Sequence, residues 1–299
     1  MNQRLPDNLE LLYSAFSKEA IDGIFPGDSF VIDDVEFVCK YMPDSTAQRF
    51  FIVKPLALVD QYRELCERFA GGAIFELGIA EGGSTALLAL LAQPSRLIAV
   101  DLEPKPLEAL AEFAAAHQLS DVVRPYYGVD QGDRARLTEI VDSELGDTPL
   151  DLVFDDASHQ LDLTRSSFET LFPRLRPGGL FVIDDWRADH IMRDAVIAQL
   201  RNPSAPGNAE AAKSMRESVA AAKRGEREKP HPPLSQLAIE LVLARAALGD
   251  AIACVSVDEF CLVVERGEGT IDPNTFRVAD LFIDYFGFLP KNVSGGTRA

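Results

Sequence analysis

Two apolar runs in the sequence end in adjacent aspartates, a pattern that can hold a divalent cation. The stretch DLVFDDASH contains Asp155 and Asp156, and the stretch GGLFVIDDW contains Asp184 and Asp185. If these carboxylates converge, they repel one another unless a positive charge compensates them. Mg²⁺ and Mn²⁺ prefer carboxylate oxygens. His159 follows Asp156 at a spacing of three residues and could accept a proton beside such a cation.

A simpler interpretation assigns the same aspartates to helix capping, because aspartate is common at the start of a helix. One acid pair alone favours this interpretation. Two pairs favour the metal, because each pair follows a strand of one predicted parallel sheet. Ligands of such sheets bind beyond the carboxyl ends of the strands, so we expect both pairs to border one crevice.

A glycine-rich turn lies between an apolar strand and a helix in FELGIAEGGSTALL, residues 75–88. This is the usual position of a nucleotide-binding loop. Glu76 and Glu81 flank its glycines, and they would repel the pyrophosphate of a dinucleotide. S-adenosylmethionine carries a sulfonium and an ammonium and no phosphate, so the acidic loop favours it over NAD.

Two aspartates outside this loop complete the predicted cofactor site. Asp101 ends the predicted strand RLIAVD and can bind both ribose hydroxyls, and Asp130 in GVDQGD can reach the adenine amino group. From the loop itself we expect contacts from Glu76, Gly78, Glu81 and Ser84.

The elements that must position these residues alternate along the chain. Strands are predicted at 73–77, 96–101, 122–127, 150–155 and 180–185, with a helix between each pair. This alternation predicts a parallel sheet covered by helices on both faces. Two more strands, at 251–257 and 260–267, are separated by Asp258 and Glu259 and predict a hairpin. The predicted fold is α/β, with a doubly wound, mostly parallel, seven-stranded sheet closed by an antiparallel hairpin.

Flanking segments suggest the domain organisation. Residues 1–70 predict an N-terminal α/β appendage, with strands at 31–42 and 49–54, that forms acceptor-pocket or oligomer contacts. Residues 71–267 form the core, and residues 268–299 a tail. A stretch rich in Ala, Pro, Gly and charge at about 203–233 interrupts the core and predicts a mobile lid.

Composition excludes several classes of partner. The chain of 299 residues has a formal net charge of −18, whereas nucleic acids and anionic membrane surfaces attract basic proteins. We see no signal peptide and no apolar run near the roughly 20 residues of a membrane span. The four cysteines form no C-x-x-C pair. We therefore expect a cytoplasmic protein that acts on a small molecule, and leave homo-oligomer formation open.

Taken together, the motifs carry a resemblance. E-L-G-x-x-x-G-G-S at 76–84, followed by V-D at 100–101, resembles the class I S-adenosylmethionine-dependent methyltransferases over roughly residues 70–200 and 250–267. D-A-S-H at 156–159 and the later D-D pair resemble the D-D-G-S-H and E-D motifs of metal-dependent O-methyltransferases of antibiotic and sugar tailoring. That branch includes macrolide-sugar O-methyltransferases and cephalosporin-hydroxylase-like proteins. The resemblance implies a Rossmann-like sheet.

By this resemblance, the ligands of Mg²⁺ or Mn²⁺ are Asp156, Asp184 and Asp185, the general base is His159, and Asp155 faces the cofactor. The chain departs from the pattern at two positions. Ala157 replaces a glycine, and Asp184 replaces a glutamate and is shorter by one methylene, which shortens its reach to the metal.

The sequence thus predicts an S-adenosylmethionine-dependent O-methyltransferase that acts on a sugar or natural-product hydroxyl, with metal assistance and a histidine base. Two alternatives stay open. One is a metal-independent N- or C-methyltransferase, and the other is a non-catalytic protein that binds S-adenosylmethionine. The acid pairs and His159 argue against the second alternative, because binding alone needs neither a metal nor a base.

Overall fold

The computed structural model describes residues 27–40, 44–191 and 232–281, together with Asp194, Lys213 and Arg224. Most of the predicted lid lies outside these residues, as do residues 1–26 and 282–299. Within the described ranges, no helix is both long and apolar enough to cross a membrane.

Strands and helices alternate over most of the described chain. The strands are β1 (Ser29–Ile32), β2 (Val35–Cys39), β3 (Arg49–Ile52), β4 (Ala73–Leu77), β5 (Arg96–Asp101), β6 (Val123–Tyr127), β7 (Leu150–Asp155), β8 (Leu175–Ile183), β9 (Ile252–Val257) and β10 (Leu262–Arg266). The helices are α1 (Leu56–Arg68), α2 (Gly83–Ala92), α3 (Glu108–Ala116), α4 (Arg134–Leu145), α5 (Leu161–Leu171) and α6 (Gln236–Ala247).

Seven strands form the main sheet in the order β6-β5-β4-β7-β8-β10-β9. The strands from β6 to β8 are parallel, and β10 pairs antiparallel with both β8 and β9. The predicted doubly wound sheet with a closing antiparallel hairpin is therefore confirmed.

Two hydrophobic cores lie on opposite faces of this sheet, because successive side chains of a strand point to opposite sides. On β4, Ile74 packs into the first core and Phe75 into the second. On β7, Leu152 and Val153 divide in the same way. Burial on both faces explains why these strands are nearly continuous apolar runs.

The carboxyl ends of β7 and β8 lie side by side, as predicted. Asp155 pairs in register with Ile183, and the backbone N–H of Asp184 donates to the carbonyl of Asp155 at 2.9 Å. Both acid pairs therefore reach the same edge of the sheet, next to the end of β4.

The N-terminal strands form a small sheet in the order β1-β2-β3. The prediction of one strand over 31–42 is wrong, because the chain turns at Asp33, whose φ is +53°, and continues as β2. This unit shares the first core: Phe50 and Tyr62 are buried in the same cluster as Ile74. Residues 27–40 and 44–70 therefore pack as part of the main core.

Candidate active site

A cavity of about 220 Å³ opens at the carboxyl ends of β4, β5 and β6. Leu77 and Val129 contribute apolar lining, and Asp101 and Asp130 contribute carboxylates. The cavity lies at the edge of the sheet where doubly wound folds bind ligands. Both aspartates were predicted to contact the cofactor, and the structure brings them to one cavity.

Asp101 also shapes the glycine-rich loop. Its Oδ2 accepts hydrogen bonds from the backbone N–H groups of Ile79 and Ala80, both at 2.8 Å. Its Oδ1 accepts from the N–H of Glu103, also at 2.8 Å. Ala80 has a φ of +45°, so this aspartate holds the loop in a conformation that a side chain disfavours.

A second cavity, of about 80 Å³, lies on the other side of the loop and is lined by Glu81 and Ser84. Gly78 and Asp156 line both cavities. A Cβ on Gly78 would lie 2.2 Å from the carbonyl oxygen of Asp156, and its φ is +97°. Glycine at this position lets the loop approach the end of β7, so the cavity of about 220 Å³, the predicted cofactor cavity, borders the acid pairs.

Glu76 lies behind the loop instead of facing a cavity. It is buried, and the hydroxyls of Ser84 and Thr85 donate to it, the latter at 2.5 Å. Burial raises its pKa to about 7. In this position Glu76 supports Ser84, and its contact with the cofactor stays a prediction.

Asp155 also points inward, which differs from the orientation that the resemblance implies. Gln131 Nε2 donates to both of its carboxylate oxygens at 2.7 Å, and Ser167 Oγ donates at 2.6 Å. Burial raises its pKa to about 6. Gln131 in turn accepts a hydrogen bond from Ser158 Oγ at 2.7 Å. Because Gln131 and Ser158 line the cofactor cavity, Asp155 supports its wall from behind.

Asp156, His159 and Asp185 form a group whose potential ligand atoms all lie within 4.8 Å of one another. His159 Nε2 lies 3.1 Å from Asp156 Oδ1. Burial lowers the pKa of His159, but the hydrogen bond to Asp156 and the charges of the surrounding aspartates raise it to about 9. Burial and the charges of Asp184 and Asp156 raise the pKa of Asp185 to about 6.

Lys54 is a functional candidate that the sequence reasoning missed. It follows β3 and is 4% exposed. Its Nζ donates to Asp156 Oδ2 at 2.7 Å and to Asp184 Oδ2 at 2.5 Å. Its positive charge compensates one carboxylate of each acid pair, although Lys54 lies more than one hundred residues earlier in the chain. The only sequence signal for Lys54 was its place at the end of the predicted strand RFFIVK. Its ion-pair partners, Asp156 and Asp184, are distant in sequence.

Asp184 is occupied by protein donors. Besides Lys54, Tyr62 Oη donates to its Oδ2 at 3.0 Å, and the backbone N–H of Asp185 donates to its Oδ1 at 2.8 Å. It is 1% exposed and lies outside the three-residue group. This differs from the metal-ligand role that the resemblance implies.

The donors present fit a divalent cation. Asp156 and Asp185 offer the hard carboxylate oxygens that Mg²⁺ and Mn²⁺ prefer, and the imidazole of His159 lies beside them. Of the three predicted ligands, the structure brings these two aspartates together.

Part of the chain that carries the site is similar to methyltransferases. Residues 75–186 match a family model described as a methyltransferase domain. The matched range begins in β4, contains the glycine-rich loop and all four paired aspartates, and ends just beyond β8. The predicted resemblance to class I methyltransferases is therefore confirmed.

The curated relatives are O-methyltransferases of antibiotic tailoring. Demethylmacrocin O-methyltransferase of Streptomyces fradiae is 50% identical over 60 residues, which cover 20% of this chain and 14% of the relative. Mycinamicin VI 2''-O-methyltransferase of Micromonospora griseorubida is 40% identical over 78 residues, which cover 21% of this chain and 20% of the relative. The matched region therefore spans a fifth or less of these relatives.

Solved structures are more distant. One is MycE methyltransferase from the mycinamycin biosynthetic pathway, in complex with Mg, SAH and mycinamycin VI. It is 21% identical, the match covers 73% of this chain and 51% of the MycE chain, and the TM-score is 0.43. Another is the O-methyltransferase TomG from Streptomyces achromogenes, in complex with SAM. It is 17% identical, the match covers 89% of this chain and 93% of TomG, and the TM-score is 0.41.

Proposed function

We propose that this chain is an S-adenosylmethionine-dependent O-methyltransferase that acts on a hydroxyl of a sugar or another natural product. One observation carries the proposal: Asp156 lines the cofactor cavity and also belongs to the acidic group with His159 and Asp185. A methyl donor in the cavity would thus lie next to groups that can ionise a hydroxyl. The names of the relatives support a small-molecule acceptor.

The cofactor is recognised by carboxylates and close backbone approach. Asp101 accepts hydrogen bonds from the ribose hydroxyls, and Asp130 accepts one from the adenine amino group. Glu81 and Ser84 lie on the other side of the loop, where the methionine part would bind. The acidic lining stabilises a sulfonium and an ammonium and disfavours a pyrophosphate.

Asp156 and Asp185 would hold Mg²⁺ or Mn²⁺, which lowers the pKa of a coordinated hydroxyl when bound. His159 then accepts the hydroxyl proton. The aspartates alone hold the pKa of this histidine at about 9. With a divalent cation held on the same carboxylates, that field would be weaker and His159 would be the neutral imidazole that a base requires.

For the methyl transfer itself, the orientation of acceptor and donor matters more than further chemistry by protein groups. The deprotonated acceptor oxygen forms a bond to the methyl carbon while the carbon–sulfur bond breaks. The products are a methyl ether and S-adenosylhomocysteine, and the proton stays on His159. The chain contributes by holding acceptor and donor in line and by excluding water.

Turnover against a panel of hydroxylated sugars and phenols, with Mg²⁺ or with EDTA, tests the proposal. We expect activity with Mg²⁺ and its loss in EDTA or in Asp156→Asn and Asp185→Asn. His159→Ala should lower turnover by about 10²–10⁴, the usual contribution of a general base. Calorimetry should give an S-adenosylhomocysteine affinity within a few fold of the wild type in all three variants.

The matched control is Asp147→Asn, which removes an exposed carboxylate away from the site. It should change neither turnover nor its dependence on Mg²⁺. Activity that survives EDTA and all three site substitutions would contradict the metal and the base together.

A further inference from the structure

Lys54 lies where the two acid pairs meet. Its ammonium contacts one oxygen of Asp156, from the first pair, and one of Asp184, from the second. The Tyr62 ring lies beneath it, with its centroid 4.9 Å from Nζ. An ammonium that is 4% exposed is tolerated only when it is paired in this way.

The surroundings of Lys54 are buried. It follows β3, whose Phe50 and Ile52 are buried in the first core, and Tyr62 on α1 is 1% exposed. The hydroxyl of Tyr62 donates to the same Asp184 oxygen that Lys54 contacts. The N-terminal unit thus places a fixed positive charge against the acid pairs.

We propose that Lys54 is an internal counter-cation of this crevice. It keeps both acid pairs in place without a divalent cation, and it competes with one for Asp156. The inference deepens the proposed function, because the cation site is the one assigned there. This gives Lys54 a function. Its charge lowers the affinity of the site for divalent cations, and it lets the crevice stay folded when no such cation is bound.

Competition follows from the shared Asp156 carboxylate and from charge. A divalent cation on Asp156 would lie within a few ångströms of the Lys54 ammonium, and two positive charges at that range repel strongly in a buried site. Removal of the lysine charge should therefore tighten divalent binding. The same removal leaves the buried carboxylate of Asp184 without its ion-pair partner, which destabilises the folded chain.

The test compares the full-length wild type with Lys54→Met, which removes the charge and shortens the unbranched side chain by one heavy atom. Calorimetry measures the Mg²⁺ dissociation constant, and thermal unfolding in EDTA measures stability without the cation. We expect Lys54→Met to bind Mg²⁺ at least about tenfold more tightly. It should melt at a lower temperature in EDTA and regain more of its stability when Mg²⁺ is added.

Two further variants control the comparison. Lys40→Met removes a lysine that lines the same cavity as Lys54 but forms no ion pair with either acid pair among the described contacts. Its Mg²⁺ affinity should stay within about threefold of the wild type. The double variant Lys54→Met with Asp184→Asn removes both charges of one pair. It should recover melting temperature in EDTA, which keeps the test usable if the single variant folds poorly.

The outcomes separate this inference from the proposed function. Tighter binding in Lys54→Met together with measurable wild-type binding supports both. Binding by Lys54→Met alone supports the counter-cation and overturns metal assistance in the native chain. Equal or weaker binding in Lys54→Met than in the wild type overturns the counter-cation and leaves the metal site standing. Binding by neither overturns both.

Discussion

At the scale of single residues, three of the six non-glycine residues with a positive φ in the described part of the chain lie at the candidate site. Ala80, His159 and Asp185 all have a positive φ, at +45°, +54° and +52°. Such a conformation costs a side-chain-bearing residue about 1–2 kcal/mol. One of these residues shapes the cofactor loop, and the other two belong to the acidic group. We infer that the fold maintains this strain to direct the three residues into the crevice.

Glu76 gives a prediction about pH, because its carboxyl is buried and its pKa is raised from 4.5 to about 7. A raised carboxyl pKa stabilises the fold below the unfolded value, and this stability is lost as pH rises through about 7. The difference corresponds to about 3 kcal/mol. Glu76→Gln should therefore increase the free energy of unfolding at pH 8, by up to this amount, and leave it nearly unchanged at pH 4.5.

Urea unfolding of Glu76→Gln at several pH values measures this effect. Glu112→Gln, which changes an exposed glutamate on α3, should show no comparable difference between the two pH values. A Glu76→Gln variant that is less stable than the wild type at pH 8 would mean that the charged carboxylate is needed by its hydroxyl donors.

At the scale of elements, β3 of the N-terminal unit packs closely against the end of the glycine-rich loop. Gly83 begins α2, and a Cβ there would lie 2.2 Å from Ile52 Cγ2 and 2.4 Å from the carbonyl oxygen of Phe51. The backbone oxygen cannot move without displacing β3. Glycine therefore allows β3, and with it Lys54, to approach the start of α2.

Gly83→Ala should consequently destabilise the chain and weaken the cofactor site. We expect a loss of about 1–3 kcal/mol in the free energy of unfolding, the usual cost of overpacking. Affinity for S-adenosylhomocysteine should also fall, because Gly83 and Ser84 line the loop cavity. Denaturant unfolding and calorimetry measure the two effects. Gly249→Ala is the control, since its nearest neighbour would be 3.8 Å away. Unchanged affinity in Gly83→Ala would separate β3 packing from cofactor binding.

The sequence predicted the main sheet well, because β4, β5, β7 and β8 are apolar runs whose partners are other strands of the same repeating pattern. It also singled out Asp101 and Asp130, which line the cavity of about 220 Å³. It did not reveal side-chain direction: Glu76 and Asp155 were expected to face the cofactor, yet both are buried and bonded to other side chains. The direction of a side chain depends on hydrogen-bond partners elsewhere in the sequence, such as Ser167 for Asp155. Local residue spacing does not show these partners.

At the scale of the whole molecule, the main sheet and the N-terminal unit share one hydrophobic core. Phe37 and Phe50 lie in the same core as Leu87 on α2, although they precede the first strand of the sheet. The boundary predicted at residue 70 marks a change of pattern in the sequence. The shared core instead joins the segment that carries Lys54 to the sheet edge that carries the acid pairs.

Ligand-induced stabilisation of the whole chain tests which cofactor the acidic cavity selects. A ligand that binds only the folded state stabilises it by about 2.7 kcal/mol at one hundred times its Kd. S-adenosylhomocysteine should therefore raise the melting temperature in a concentration-dependent way. NAD should not, because its pyrophosphate would lie against the glycine-rich loop, beside Glu81. Asp101→Ala should reduce the shift by weakening binding at least about tenfold, since it removes both the ribose contact and the support of Ile79 and Ala80. Asp121→Ala, at an exposed position, should retain the full shift. Stabilisation by NAD equal to that by S-adenosylhomocysteine would contradict the charge argument for the cofactor.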